Sequence, residues 1–109
     1  MSESGTAVLR TGMRLQSQVC STQVIVVRPG RGSVLLTCGG LPLVDLATPY
    51  PEGATPAPGL DTGSVLGKRY TAASDETLEV LVTKAGAGTL GDADTPLVVK
   101  GAKQLPASD

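Results

Sequence analysis

The chain has 109 residues, a net charge of −1 and no histidine. That length suits one domain with one hydrophobic core, and the balanced charge gives no field that would attract nucleic acid or an anionic membrane. Without histidine, Ser–His and Cys–His catalytic pairs are excluded within this sequence, as is the commonest metal ligand. We therefore expect one domain that is not an enzyme.

The apolar residues are mostly Val, Leu and Ala, with no Phe or Trp, and 14 glycines and 8 prolines interrupt them. β-branched side chains favour strands, and frequent Gly and Pro limit their length. The sequence predicts an all-β domain over 1–109, a small sandwich or partly open barrel of about seven short strands. Two β-rich halves, 7–46 and 65–100, are joined by a Pro/Gly-rich loop, 47–64, and a tail follows at 101–109.

The first half is expected to begin with two strands. Residues 13–19 alternate apolar and polar side chains, which is typical of a half-buried strand. The alternation stops near Cys20, and residues 24–27 are apolar on both faces, so we expect a bulge or short turn and then a central strand.

Turn residues at 28–32 indicate a β-hairpin that joins this central strand to 33–38. Residues 41–46 follow as a short edge strand, because Pro42 lacks the N–H that a central strand needs. The Pro/Gly-rich loop then has little periodicity, and we expect it to be mobile. Further strands are expected at 65–71, 77–84, 89–90 and 97–100.

Cys20 and Cys38 flank the predicted hairpin at nearly equal distances from Gly30, so their sulfurs are expected to meet on one face. Three interpretations stay open: small core residues, a zinc or iron site, or a redox disulfide. A closed zinc site wants four nitrogen or sulfur ligands, which two copies of the pair would supply across a dimer. Cys38-Gly39-Gly40 also resembles the Cys–Gly turns of metal knuckles.

Residues 60–64, Leu-Asp-Thr-Gly-Ser, resemble the active-site signature of aspartic proteases. The resemblance implies an all-β homodimer in which Asp61 of each subunit shares a proton and activates water. The surroundings depart from that family, because Ala57-Pro58-Gly59 precede the motif instead of a hydrophobic strand. The alternative is an Asx-type turn at Asp61.

Arg14, Arg28 and Arg31 are candidates for an interaction patch, since they carry most of the charge in the first half. From Asp45 to Asp109 nine acids stand against five bases, so the two parts of the chain have opposite charge bias and are expected to complement each other within a chain or across an oligomer. No aromatic residues interleave with these arginines, which argues against nucleic-acid binding.

The sequence has no apolar run of membrane-spanning length and no N-terminal signal pattern, so a cytoplasmic protein is expected. We predict a non-enzymatic accessory or protein-interaction subunit, which binds a protein partner or associates with itself and requires no cofactor. The alternatives are a zinc or iron protein that uses Cys20 and Cys38, and an aspartic-type hydrolase that uses Asp61.

Overall fold

A computed structural model describes residues 9–32, 34–48 and 53–100. Within these ranges the chain is all-β, as predicted, and ten strands form two antiparallel sheets. In chain order the strands are β1 (Arg14–Gln16), β2 (Gln23–Pro29), β3 (Leu36–Cys38), β4 (Leu41–Pro42), β5 (Val44–Asp45), β6 (Arg69–Ala72), β7 (Asp75–Lys84), β8 (Leu90–Asp92), β9 (Thr95–Pro96) and β10 (Val98–Val99). The predicted tail 101–109 lies outside the described residues.

The larger sheet has six strands in the order β10-β6-β7-β2-β1-β5, and the smaller has four in the order β4-β3-β8-β9. β2 lies between β7 and β1, which confirms the prediction of a central strand. Its side chains alternate, because Val24 and Val26 are buried whereas Ile25 and Val27 are only half-buried. The larger sheet therefore has an inner face and an outer face.

The core lies between the two sheets and is aliphatic, as the composition predicts. The larger sheet contributes the inward side chains of its central strands, and the smaller sheet contributes residues from β3 and β8. The principal members are Leu15, Val24, Val26, Leu36, Cys38, Leu78, Val80, Val82 and Leu90. Burying these side chains is the main source of stability, at roughly 1.5–3 kcal/mol for each large aliphatic group.

The predicted hairpin between 24–27 and 33–38 is wrong, because β2 and β3 belong to different sheets. β2 pairs with β1 on one side and β7 on the other, so no edge is left for β3. The turn at 28–32 instead carries the chain across to the smaller sheet. Asp75 holds this crossing, since its Oδ2 accepts a hydrogen bond of 2.7 Å from the Arg31 backbone N–H.

All four edge strands contain only two residues each, namely β5 and β10 in the larger sheet and β4 and β9 in the smaller. Pro42 lies on an edge strand, as predicted, and Pro96 lies on another. Short edges with proline offer few free donors and acceptors to a second chain. Strand-to-strand association through these edges therefore has little backbone surface available.

The described part of the Pro/Gly-rich loop, residues 53–64, is more firmly attached than its composition suggests. Its backbone N–H groups at Ala57 and Ser64 donate to the carbonyls of Gly39 and Gly86 at 2.9 and 3.2 Å. In return, its Leu60 carbonyl accepts a hydrogen bond of 2.9 Å from the Thr89 N–H. The loop thus packs against the turns that follow β3 and β7.

Within the ranges that the structure describes, no helix has the length and apolar character needed to cross a membrane.

Candidate thiol site

The sulfur atoms of Cys20 and Cys38 lie 3.7 Å apart between the two sheets. Cys20 belongs to the turn that joins β1 to β2, which is closed by a 2.9 Å hydrogen bond from the Ser17 N–H to the Thr22 carbonyl. Cys38 ends β3 in the smaller sheet. Both residues are free cysteines, Cys38 fully buried and Cys20 half-buried.

Ser17 lies directly beside the Cys20 sulfur. The Ser17 Oγ accepts hydrogen bonds from the Val19 and Cys20 backbone N–H groups at 3.0 and 3.2 Å. The neutral Cys20 thiol donates to the same oxygen across 3.3 Å. When Cys20 is ionised, its sulfur can only accept, and the Ser17 hydroxyl is then the donor beside it. Ser17 is fully buried, so water does not compete for this contact.

Two further donors surround the same sulfur. The buried Thr22 hydroxyl lies 3.2 Å from the Cys20 Sγ, and the Gly88 backbone N–H donates to it at 3.3 Å. Once Cys20 is ionised, both hydroxyls can donate to its sulfur along with the Gly88 N–H, and this cradle of three donors favours the thiolate over the neutral thiol. We refer to Ser17, Cys20, Thr22, Cys38 and Gly88 as the thiol site.

The turn after β7 approaches the sulfurs closely because it contains glycine. A Cβ atom on Gly88 would lie 2.7 Å from the Cys38 Sγ and 3.2 Å from the Cys20 Sγ. A Cβ on Gly86 would lie 2.5 Å from both the backbone nitrogen and the Oγ1 of Thr22. Both contacts are closer than side chains normally permit, so the backbone N–H of Gly88 reaches sulfur only where no side chain intervenes.

The pKa values of the two thiols are shifted in opposite directions. Burial raises the pKa of the Cys20 thiol, but the hydrogen bonds of Ser17, Thr22 and Gly88 outweigh it and lower the pKa from 9.0 to about 7. Burial dominates at Cys38 and, with the neighbouring Cys20 sulfur, raises the pKa of that thiol to about 11. Near neutral pH the site therefore holds one thiolate in exchange with its thiol, beside one neutral thiol.

The two sulfurs lie close together, as predicted, but the predicted hairpin is not what brings them together. They meet across the two sheets rather than along one hairpin. The three donors were not predicted, since the pattern placed Ser17 in the strand 13–19, Thr22 in the bulge or turn after it and Gly88 in a hairpin turn. The Ser-x-x-Cys spacing at 17–20 is the one local signal, because a serine three residues before a cysteine can share its turn.

The thiol site does not fit a closed metal centre. The 3.7 Å sulfur separation is close to the ~3.8 Å edge of a zinc–thiolate tetrahedron, but the site supplies only two sulfurs. Among the described residues no group of three Cys, His, Asp or Glu side chains comes together. A symmetric four-sulfur site across a dimer would need Cys38 at the surface, and its side chain is 0% exposed.

Asp61 lies exposed in the loop, and its neighbour Thr62 anchors the motif. The Thr62 N–H donates to the Thr89 Oγ1 at 2.9 Å, and the hydroxyls of the two threonines lie 2.7 Å apart. The aspartic-protease resemblance implies an aspartate held near a second copy of itself. The structure of this single chain places one exposed carboxylate there.

The three candidate arginines do not form one patch. Arg14 and Arg28 lie on neighbouring strands, with Arg14 opposite Ile25 and Arg28 opposite Glu79. Ile25 and Arg28 are three residues apart on β2, so the two arginines are separated by about 10 Å along the sheet. Arg31 belongs to the crossing turn.

Glu79 is a buried carboxylate that the sequence did not single out. It is 2% exposed and lies 3.3 Å from both Arg69 Nη1 and Lys100 Nζ. The Oε2 atom faces Arg69 within ion-pair distance but without the alignment of a hydrogen bond. Because its partners lie on β6 and just after β10, Glu79 ties three strands of the larger sheet together.

Comparison of the chain with protein-family models, with curated proteins and with solved structures finds no match.

Proposed function

We propose that the protein is a thiol–disulfide redox protein, in which Cys20 exchanges with a disulfide partner and Cys38 completes an internal disulfide. The observation that carries this proposal is the 3.7 Å contact of two free cysteine sulfurs, one of them in hydrogen-bond contact with Ser17, Thr22 and the Gly88 N–H. A pair of inert core cysteines needs no such cradle.

The proposed reaction has two steps. The Cys20 thiolate attacks one sulfur of a disulfide R–S–S–R′, forms a Cys20–S–S–R bond and releases R′S⁻, which takes a proton from water. The Cys38 thiol then loses its proton to solvent and attacks the Cys20 sulfur, which releases RS⁻ and leaves a Cys20–Cys38 disulfide. RS⁻ takes up a proton in turn. From its thiolate–thiol form the protein thus loses two electrons and one proton, and the partner disulfide becomes two thiols by gaining two electrons, the equivalent of the Cys38 proton and one proton from water.

The asymmetry of the pair supports this order of events. Cys20 is half-buried and carries the lower pKa, so it is both the more accessible and the more ionised sulfur at neutral pH. Cys38 is enclosed and holds its proton, which suits the resolving role. Closing the disulfide requires the sulfurs to approach by about 1.7 Å, from 3.7 Å to the length of a covalent S–S bond.

Trapping with oxidised glutathione tests the proposal. The reduced Cys38→Ser variant should acquire one glutathione, on Cys20, whereas the unsubstituted protein should proceed to an internal disulfide that dithiothreitol reverses. The Cys20→Ser variant is the matched control and should acquire none on Cys38. Peptide mapping without reductant identifies each product, and near-ultraviolet circular dichroism checks that both variants are folded.

An adduct on Cys38 instead of Cys20, or no internal disulfide in the unsubstituted protein, would contradict the proposal. Metal analysis of protein purified without chelator addresses the zinc or iron alternative. More than about half an equivalent of either metal per chain, lost in both cysteine variants, would favour the metal site instead. The predicted accessory role stays a prediction and would be met if the disulfide partner is itself a protein.

A further inference from the structure

A cleft of about 410 Å³ opens on the larger sheet, apart from the two sulfurs, and this volume lies within the usual range of small-ligand sites. It extends over β2 and its neighbours, and its lining includes Arg14, Gln23, Ile25, Leu46, Thr83 and Lys84. The cleft therefore combines two cations, an amide, a hydroxyl and two aliphatic side chains.

The strand register places the two cations on opposite sides of β2. Arg14 on β1 lies opposite Ile25, and Lys84 on β7 lies opposite Gln23. β1 and β7 are two strand spacings apart, about 10 Å, so the flexible side chains of Arg14 and Lys84 can both reach the space over β2. Among the described residues both ion pairs belong to Glu79, and no carboxylate lines the cleft.

The turn after β5 forms one wall and is held in place by hydrogen bonds. The Leu46 N–H donates to the Arg14 carbonyl at 3.1 Å, and Gln16 Nε2 donates to the carbonyls of Leu46 and Thr48, both at 3.1 Å. These contacts fix Leu46 on the far side of Arg14 from the half-buried Ile25, so that both line the cleft before any ligand arrives. A preformed wall reduces the entropy lost on binding.

From this arrangement we infer that the cleft binds a small organic carboxylate, with the apolar body of the ligand against Ile25 and Leu46 and its carboxylate on Arg14 and Lys84. A guanidinium pairs with a carboxylate through two parallel hydrogen bonds, and Lys84 adds a second positive charge. The Gln23 amide and the Thr83 hydroxyl supply further donors. A purely inorganic anion would leave the aliphatic part of the cleft in water, so an organic anion is the better match.

The test is a titration of the full reduced chain with benzoate, followed by amide chemical shifts in ¹H–¹⁵N spectra. Benzamide has nearly the same shape without the charge and serves as the matched ligand. We expect saturable shifts at Ile25, Leu46 and Thr83 with benzoate below about 20 mM, and none with benzamide. Arg14→Gln and Lys84→Gln should each weaken benzoate binding by about tenfold, because each removes a charge-assisted contact.

Lys68→Gln is the control, since it removes one exposed lysine that does not line the cleft. It should bind benzoate as the unsubstituted protein does. Equal binding of benzoate and benzamide, no saturable shift in the cleft, or unchanged affinity in both Arg14→Gln and Lys84→Gln would overturn the inference. None of these measurements depends on the reactivity of Cys20.

Discussion

The pH dependence of Cys20 alkylation is the sharpest consequence of the donor cradle. In the Cys38→Ser variant Cys20 is the only thiol, and at its pKa of about 7 half of it is thiolate at pH 7, against about 1% for a thiol at 9.0. Intrinsic nucleophilicity falls with pKa and removes about eightfold of that gain. Cys20 should therefore react with iodoacetamide about sixfold faster than an ordinary thiol at pH 7 and about fourfold slower at pH 9.

The assay is the alkylation rate, measured by mass spectrometry between pH 6 and pH 10 on the folded variant and on the same variant in urea. Partial burial of Cys20 slows its alkylation in the folded protein by a similar factor at every pH. The midpoint of the pH profile, rather than the absolute rate, is therefore the informative quantity. We expect a midpoint near 7 when folded and near 9 in urea. The same midpoint in both states would refute the argument from the three donors.

Three further predictions concern the same site. Ser17→Ala should move the alkylation midpoint of Cys20 to higher pH. It should also lower the free energy of unfolding by about 1–3 kcal/mol, because two amide N–H groups lose their acceptor. The control Ser21→Ala leaves the sulfur contacts intact and should have neither effect. Gly88→Ala should cost about 1–3 kcal/mol in urea unfolding, since its Cβ meets both sulfurs, and a wild-type midpoint would contradict that packing. The free energy of unfolding of the reduced protein should rise from pH 7 to 9, because the unfolded state still binds the proton that folded Cys20 releases. It should fall from pH 9 to 11, because folded Cys38 keeps a proton that the unfolded chain loses. Each limb is expected to be about 1 kcal/mol after solvent screening, and Cys20→Ser should abolish the rise while keeping the fall.

Local sequence pattern was sufficient to predict that β2 is a central strand and that β4 is an edge strand. The apolar run at 24–27 predicted a central strand, and β2 does have a neighbouring strand on each edge, although only its inner face is fully buried. Pro42 predicted an edge position because it cannot donate a ladder hydrogen bond, and β4 is an edge strand. Both predictions depend on properties of a few adjacent residues.

Strand partners were not predictable in the same way. The turn at 28–32 has the composition of a hairpin turn, but composition does not say whether the next strand returns to the same sheet. β7 has ten residues and pairs along β2, which leaves β3 to pair with β4 and β8. The choice between competing partners depends on the whole core, so the hairpin prediction failed although its turn is present.

The thiol site was predicted only in part for a related reason. The two sulfurs do meet, as predicted, but not through the hairpin around Gly30 from which that prediction was made. The Gly88 N–H lies 68 residues from Cys20 in the chain, and no local pattern connects them. Likewise, Ser17 lies beside the sulfur only because the turn holds its hydroxyl oxygen with two backbone amides.

The thiol site requires glycine backbone beside the sulfurs, so a small set of widely spaced residues defines a sequence motif by which relatives of this chain can be recognised. It comprises a serine three positions before a cysteine (Ser17 and Cys20), Thr22, Cys38 followed by Gly39, and two glycines at 86 and 88. The thiol site sets no requirement at the other positions, whereas a side chain at 88 would displace a sulfur. A homologue that retains both cysteines but carries a larger residue at 88 should have lost the acidic thiol, and one that lacks the cysteines is released from the requirement for glycine.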